Sequence, residues 1–486
     1  MTSETQLGPR PGVAHEPGSP AVGRLSLRSV VGFLAFVELV SGMVQGYYSP
    51  LLAGLASALH VGAGPLNWFN SVQLLAAAVS VPIFAALGDR VGHRRMLTVA
   101  VWAVAVGAIL IVVAPSFPIV LLGRVLQGPL AAWIALEIAL VRDKASGHTA
   151  HRAIGLLASS LTAGALIGGL VSGPLDGLIG DVRLTMAIPA VLAIICGFVT
   201  MFLIPESTTR ASRTIDWIGA VGLSVALVLV LLGLIGAHRS GWTAPSTLGG
   251  VGLGLVVLAV WVWWERRTAS PLVDMRLFTD RKMWPAMVAA LLFGLSLFGN
   301  QVPIVTFLAA KPDVVGYGFG LSPRSISLVL AVNLVAAVIG SSLCARIATI
   351  IGLRGVLPLG AGTMAVGFVG LAVLHQSLAV VVGVLALTGF GVGLLLGGLP
   401  SYISEVAPAG RIGTASGTYS TVKVLGGAIA TAVIGALLSS FVPAGGTAPT
   451  VTGYTVVWFA CAASALVSLG VLALAWSRRR TGRRAI

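Results

Sequence analysis

Fourteen stretches of about 20 mostly apolar residues run through this 486-residue chain. Each is long enough for a helix to cross the hydrocarbon core of a bilayer. They are centred near Gly42, Ala77, Ala105, Leu130, Gly164, Ile195, Ala226, Val256, Ser296, Val335, Ala365, Phe390, Ile429 and Ser464. Most loops between them are short, so neighbouring spans are expected to run antiparallel. Only 9% of the residues are charged and 57% are hydrophobic, against roughly 25% charged in ordinary soluble proteins. That much apolar surface cannot be enclosed in a polar skin. A soluble enzyme, a coiled coil and a nucleic-acid-binding module are excluded, and an all-α polytopic integral membrane protein is expected.

The formal net charge is +15. In a soluble chain this would suggest nucleic acid; here the excess of Lys and Arg in cytoplasmic loops accounts for it. With the N-terminus in the cytoplasm, outer loops hold Arg183, Arg239, Lys311 and Arg324, and spans hold Arg124 and Lys423. The other 24 of the 30 basic residues fall on the inner side or in the tails. An even number of spans returns the C-terminal Arg478, Arg479, Arg480, Arg483 and Arg484 to the cytoplasm. The expected location is the inner (plasma) membrane, with no cleavable signal peptide. Cys196, Cys344 and Cys461 lie in apolar runs without paired or metal-ligand spacing, so no disulfide is expected.

A short repeat relates two loops. Gly92-His93-Arg94 follows the second span and Gly352-Leu353-Arg354 follows the tenth, each leading into an apolar run. Two six-helix halves separated by an inserted pair produce that offset, and a substrate site between repeats is then expected. The division is a disordered cytoplasmic tail (1–28), an N-terminal bundle (29–205), two inserted helices with a linker (206–282), a C-terminal bundle (283–476) and a basic cytoplasmic tail (477–486).

Ionisable residues within hydrocarbon are costly and read as functional. Glu38 lies roughly 13 Å into the first span at 1.5 Å per residue, and Ser41, Gly42, Gln45 and Ser49 continue on its face. It is a candidate proton-exchanging carboxyl, or half of a permanent ion pair. Lys423 lies about 18 Å into the thirteenth span, with Ser416, Tyr419, Ser420, Gly427 and Thr431 on its side. It is placed to bind an anionic part of a substrate or to neutralise Glu38. Arg124 in span four is expected to organise the site more than to touch substrate. Glu137, thirteen residues on, is about 220° around a regular helix from it, and reads as a second proton site or as a solvated interfacial acid.

Asn67, Asn70 and Gln73 share one face of span two, and Asn300, Gln301 and Asn333 are further polar candidates. Gln45, Asn70, Gln73, Tyr419, Lys423 and Asn300 form the expected substrate cavity. Gly169, Gly173 and Gly177 in span five recur every four residues, a spacing that permits close backbone approach, and Pro174 removes a donor there. His148 and His151 lack a ligand set, so no metal site is expected. No phosphate-binding Gly-Lys-Ser/Thr loop and no Ser-His-Asp or metalloprotease pattern is present, which argues against ATP as energy source and against an enzyme, so no catalytic residue is assigned.

Leu87-Gly88-Asp89-Arg90-Val91-Gly92-His93-Arg94-Arg95 resembles the signature loop of the major facilitator superfamily. Arg124-Val125-Leu126-Gln127-Gly128 is similar to its fourth-helix element, and Gly169 to Gly177, with Gly173-Pro174, resembles its fifth-helix antiporter motif. Asp216-Trp217-Ile218-Gly219, Glu265-Arg266-Arg267, Pro271-Leu272 and Gly413-Thr414-Ala415-Ser416-Gly417 look like the fourteen-helix drug:proton antiporters. Ala85 stands where the loop motif has its first Gly, and Leu178 where the antiporter motif has its last.

The resemblance implies a major facilitator fold, two six-helix bundles plus two inserted helices, with both termini cytoplasmic. It implies proton-coupled export by alternating access, with Glu38 and Arg124 in proton coupling. Asp89, Arg90, Arg94, Asp143, Gly173 and Pro174 would gate. The expected partners are a small amphipathic substrate, protons and membrane lipids, with no nucleic acid, no cofactor beyond the proton gradient, and a monomeric chain. An uptake symporter or a lipid or metabolite exporter on the same fold is the alternative, and a non-transporting scaffold the reading from another class.

Overall fold

The computed structural model describes residues 27–144, 147–207, 216–240, 244–268, 271, 275–406, 412–443, 446 and 448–481. These residues form helices and no strand. The first half comprises α1 (Leu27–Tyr47), α2 (Trp68–Val91), α3 (His93–Val113), α4, α5 (Gly147–Ile179) and α6 (Ala187–Phe202). α4 has two sections, Phe117–Leu126 and Trp133–Lys144. A pair follows, α7 (Trp217–Ser240) and α8 (Pro245–Arg267). The second half comprises α9, in sections Trp284–Gly299 and Gln301–Ala309, then α10 (Pro323–Ile351), α11 (Leu353–Val373), α12 (Leu378–Val406), α13 (Ile412–Ser440) and α14 (Val451–Thr481). Among the described residues thirteen helices are long and apolar enough to cross a membrane, and α7 contributes the shorter apolar stretch Trp217–Val230. Thirteen of the fourteen predicted centres fall each in its own span, and the one at Ala226 falls in the shorter apolar stretch of α7.

Three spans are interrupted, and each break has a chemical cause or marker. α1 ends at Tyr47 and gives way to a 3-10 turn, Ser49–Leu51, around Pro50, then to a short helix, Leu52–Leu59. α4 is broken by the 3-10 stretch Gly128–Ala132, which carries Pro129. Proline cannot donate to the helix ladder, and short 3-10 pieces absorb the mismatch. α9 restarts at Asn300.

The Gly-x-Arg repeat marks equivalent corners. α2 turns into α3 at Gly92 (φ +123°), and α10 turns into α11 at Gly352 (φ +73°), dihedrals that glycine adopts without strain. A second relation between the halves lies in the crossings. A Cβ at Gly42 would fall 2.8 Å from the Leu161 carbonyl carbon, and one at Gly164 2.8 Å from that of Leu39, so α1 and α5 touch backbone to backbone. In the second half a Cβ at Gly294 would fall 2.8 Å from the Lys423 carbonyl carbon, and one at Gly426 3.0 Å from that of Leu291. α9 and α13 therefore cross as α1 and α5 do.

The expected close approach along Gly169, Gly173 and Gly177 is corrected by these contacts. Gly42 and Gly46 on α1 and Gly164 and Gly168 on α5 make the crossing, whereas Gly177 faces open space and Gly169 has its nearest neighbour at 3.8 Å. Only Gly173 of the trio sits in a tight contact, against Pro323 and Ser327 of α10.

The halves meet along α2–α13 and α5–α10. α7 and α8 pack on each other, and α7 leans on α2 and α13. Asp216 ties that pair together: its Oδ1 accepts from Gly219 N at 2.7 Å at the start of α7, and Trp264 Nε1 of α8 donates to its carboxylate at 3.0 Å. Exposed apolar side chains such as Val106, Phe202, Val221 and Val256 cover the outward faces, as hydrocarbon contact requires.

Candidate functional site

Polar side chains converge where the broken spans pass each other. Arg124 stands in the last turn before the α4 break and is 4% exposed. Its Nε donates to the Phe69 carbonyl (3.0 Å), one terminal nitrogen to Gln127 Oε1 (2.5 Å), and the other to Asn70 Oδ1 (3.3 Å) and to Gln73 Oε1. Its guanidinium lies 4.2 Å from the Phe69 ring centroid and 5.2 Å from that of Tyr48. Gln127 in turn donates to the Tyr48 hydroxyl at 3.1 Å. Arg124 thus binds α1, α2 and α4 into one block through neutral acceptors and rings.

The block reaches the second half through Asn70, whose Nδ2 donates to Gln301 Oε1 at 3.2 Å. Gln45 is exposed and donates to Ser41 Oγ at 3.3 Å. Gln73 and Gln301 are half-buried. On α13 the half-buried Lys423 places Nζ 5.5 Å from the centroid of the Tyr419 ring, whose hydroxyl is buried without a hydrogen-bond partner among the described residues. Among the described residues neither Lys423 nor Arg124 has a carboxylate within 4.0 Å.

Asn300 departs from its expected place. The restart of α9 turns it into the second half, where it is 8% exposed and its Oδ1 accepts from Trp458 Nε1 at 2.9 Å. Asn333 likewise is committed within its own half, donating to the Leu385 carbonyl at 2.7 Å. Gln301, one residue past Asn300, takes the position at the seam.

Glu38 is 1% exposed and Glu137 is 0% exposed, and their carboxyl groups neighbour each other where α1 packs on the second section of α4. The reading of Glu137 as a solvated interfacial acid is therefore corrected. The 3-10 stretch between Gly128 and Ala132 alters the phase that a regular helix would keep between Arg124 and Glu137.

The loop residues form a second cluster, at the face where α2 meets α3. Asp89 Oδ1 lies 3.0 Å from His93 Nε2. Arg94 donates from Nε to the Thr200 carbonyl (3.1 Å) and from its fork to the Met201 carbonyl, at the C-terminal end of α6. Glu206, absent from the predicted set, accepts from Arg94 N at 3.1 Å and stands 3.6 Å from Arg95 Nε. Arg90 is exposed and Asp143 half-buried. These contacts of Asp89 and Arg94 all lie within the first half. At the opposite face Gly173 N donates to Ser327 Oγ at 3.1 Å across the seam, and Trp68 packs against Ala432 and Ala436. The chain after α1 (Ser49–Leu59) and the short helix Ala63–Leu66 meet the second section of α9 there. The side chains of His148, His151 and Ser416 lie outside the described residues. No group of three His, Cys, Asp or Glu side chains is placed to hold a metal ion among the described residues.

Comparison with known proteins gives a consistent picture. The profile described as Major Facilitator Superfamily matches residues 34–431 and 305–485. The chain is 29% identical over 402 residues to Multidrug resistance protein Stp of Mycobacterium tuberculosis, covering 81% of this chain and 72% of that one. It is 28% identical over 447 residues to the Tetracenomycin C resistance and export protein of Streptomyces glaucescens, covering 90% and 80%. Among solved structures the nucleoside transporter NupG superposes with a TM-score of 0.62 at 13% identity, covering 92% of this chain and 99% of that one, a likeness of fold.

Proposed function

The chain belongs to the major facilitator superfamily, and we propose that it is a proton-coupled antiporter that exports amphipathic drugs, antibiotics or related metabolites. It is a multi-pass transporter of the inner membrane and not an enzyme. The names of its relatives, a multidrug resistance protein and a tetracenomycin C resistance and export protein, support small-molecule efflux.

The observation that carries the coupling is the state of Glu38. It is buried with no Lys or Arg within ion-pair range among the described residues. That argues against a permanent structural ion pair and for a carboxyl whose charge is managed by a proton. Placing the basic face, with the Gly92 corner, in the cytoplasm makes the seam at Gly173 and Ser327 a closed outer gate. The exposed Gln45 and the half-buried Gln73, Gln301 and Lys423 are the polar side chains available to line the inner route in this reading. Lys423, with the unpartnered Tyr419 hydroxyl beside it, favours substrates that carry an anionic or acceptor group.

Everted vesicles holding an inside-acid gradient, reported by a pH-sensitive dye, test this reading. Cationic, neutral and anionic amphipathic compounds are added to wild type and to Glu38→Gln. Export by antiport predicts collapse of the gradient by at least one compound in wild type and none in the variant. Collapse in both moves the coupling off Glu38, and silence with every compound removes the export reading.

A further inference from the structure

The contact between Glu38 and Glu137 has no place in the arrangement of Arg124 and Lys423. Oε2 of Glu38 and both carboxyl oxygens of Glu137 are buried and meet no hydrogen-bond donor among the described residues. The two side chains come from different spans, α1 and the second section of α4, which pack together here. Titratable groups that face the pair are few. α6 brings the buried Cys196 close to Glu137. α5 carries none between Arg152 and Asp176, and α2 and α3 carry theirs at the Asp89–Arg95 corner. The guanidinium of Arg124 is occupied by Phe69, Asn70, Gln73 and Gln127.

Two ionised carboxyls in contact, dry and without donors, would repel each other with nothing to offset their lost hydration. Buried side by side without donors, they can satisfy each other only if one carries a proton and the other accepts it, as in paired acids that share one proton. We propose that Glu137 is the second carboxyl of the proton site, and that Glu38 and Glu137 hold one proton between them in this conformation. The pair then has a singly protonated state of charge −1 and a doubly protonated neutral state. Passing between them takes up or releases one proton and needs no cation from another helix. The transport role of the pair rests on the proton-coupled reading above; the shared proton does not.

Infrared absorption of the protein in phosphatidylcholine vesicles tests the shared proton without any substrate. Wild type is expected to show the carbonyl band of a buried, hydrogen-bonded carboxylic acid at neutral pH. Glu38→Gln and Glu137→Gln should each remove or displace that same band, and the double variant should add nothing further. Glu137→Asp, at equal helix content by circular dichroism, should keep a hydrogen-bonded acid band. An unchanged band in Glu137→Gln overturns the proposal, as does loss of half the signal in each single variant and all of it in the double. In everted vesicles Glu137→Gln should lose gradient collapse as fully as Glu38→Gln, with Glu137→Asp retaining part. If Glu137→Gln transports like wild type while Glu38→Gln does not, the pair is not the coupling unit. If wild type ignores the gradient while the band behaves as stated, the coupling reading fails and takes the transport role of the pair with it.

Discussion

Gly173 offers its amide to Ser327 Oγ at 3.1 Å, joining α5 of the first half to α10 of the second. A Cβ at Gly173 would fall 2.6 Å from the Pro323 carbonyl carbon, so the seam closes only because that side chain is absent. Gly173→Ala is expected to disfavour this closed seam, the proposed outer gate, by about 1–3 kcal/mol, the usual scale of overpacking. That shifts the balance between conformations about 5- to 150-fold. The rate at which a membrane-impermeant maleimide added from outside labels Gln45→Cys should rise several-fold in the Gly173→Ala background. An unchanged rate would show that this contact does not set the gate.

Arg124 makes bonds in three directions at once, to Phe69, to Gln127, and to Asn70 and Gln73. A lysine ammonium cannot reproduce that planar fork. Each charge-assisted bond is worth about 1.5–3 kcal/mol, so Arg124→Lys should lower the thermal midpoint of the purified protein by several degrees and cut transport about tenfold or more. Full activity in Arg124→Lys would mean that charge alone suffices and that the block of α1, α2 and α4 is held by other contacts.

The spans were legible because apolar windows of membrane length survive any detail of packing, and the corner at Gly92 because its loop is stereotyped. Glu38 was legible as a lone acid in an apolar run. Glu137 was legible as a possible second proton site, but its place beside Glu38 was not. Glu137 comes beside Glu38 through the packing of α1 on the second section of α4, and the 3-10 stretch at Gly128–Ala132 breaks the helical phase on which any count of residues relies. Asn300 misled for a similar reason: the restart of α9 there sends it to Trp458 and leaves Gln301 at the seam. Periodicity drew attention to Gly169 and Gly177, yet spacing on one helix cannot say which face meets a partner. Gly42 with Gly46 carried an equal spacing on α1 and makes the contact.

That distinction can be measured. Gly164 meets the Leu39 backbone and has no room for a side chain, while Gly177 faces open space on the same helix. Gly164→Ala should destabilise the protein by about 1–3 kcal/mol. Gly177→Ala should be neutral or stabilise by up to about 1 kcal/mol, through helix propensity alone. Thermal unfolding in detergent gives both numbers, and equal losses would contradict the assignment of the crossing.

Glu206 holds the corner by accepting from Arg94 N and standing 3.6 Å from Arg95 Nε. Arg95 is largely exposed, so its ion pair adds little to stability; the acceptor role at the start of α3 is the structural one. Glu206→Gln keeps an acceptor oxygen and should retain transport, whereas Glu206→Ala should loosen the corner and raise hydrogen exchange at Arg94 and Arg95. Equal exchange in the two variants would remove this role.

Lys423 separates two accounts of the cavity. If its ammonium meets an acidic or acceptor group of the substrate, Lys423→Gln loses a charge-assisted bond worth about 1.5–3 kcal/mol. Transport of anionic compounds should then fall by about 10- to 100-fold in kcat/KM, since 1.4 kcal/mol is a factor of ten. Cationic and neutral compounds should be affected much less. If Lys423 instead neutralises Glu38 at another stage of the cycle, all three classes should lose activity together, because coupling is common to them. The absence of a carboxylate within 4.0 Å of Lys423 among the described residues favours the first account, and the ratio of losses across the three classes decides it.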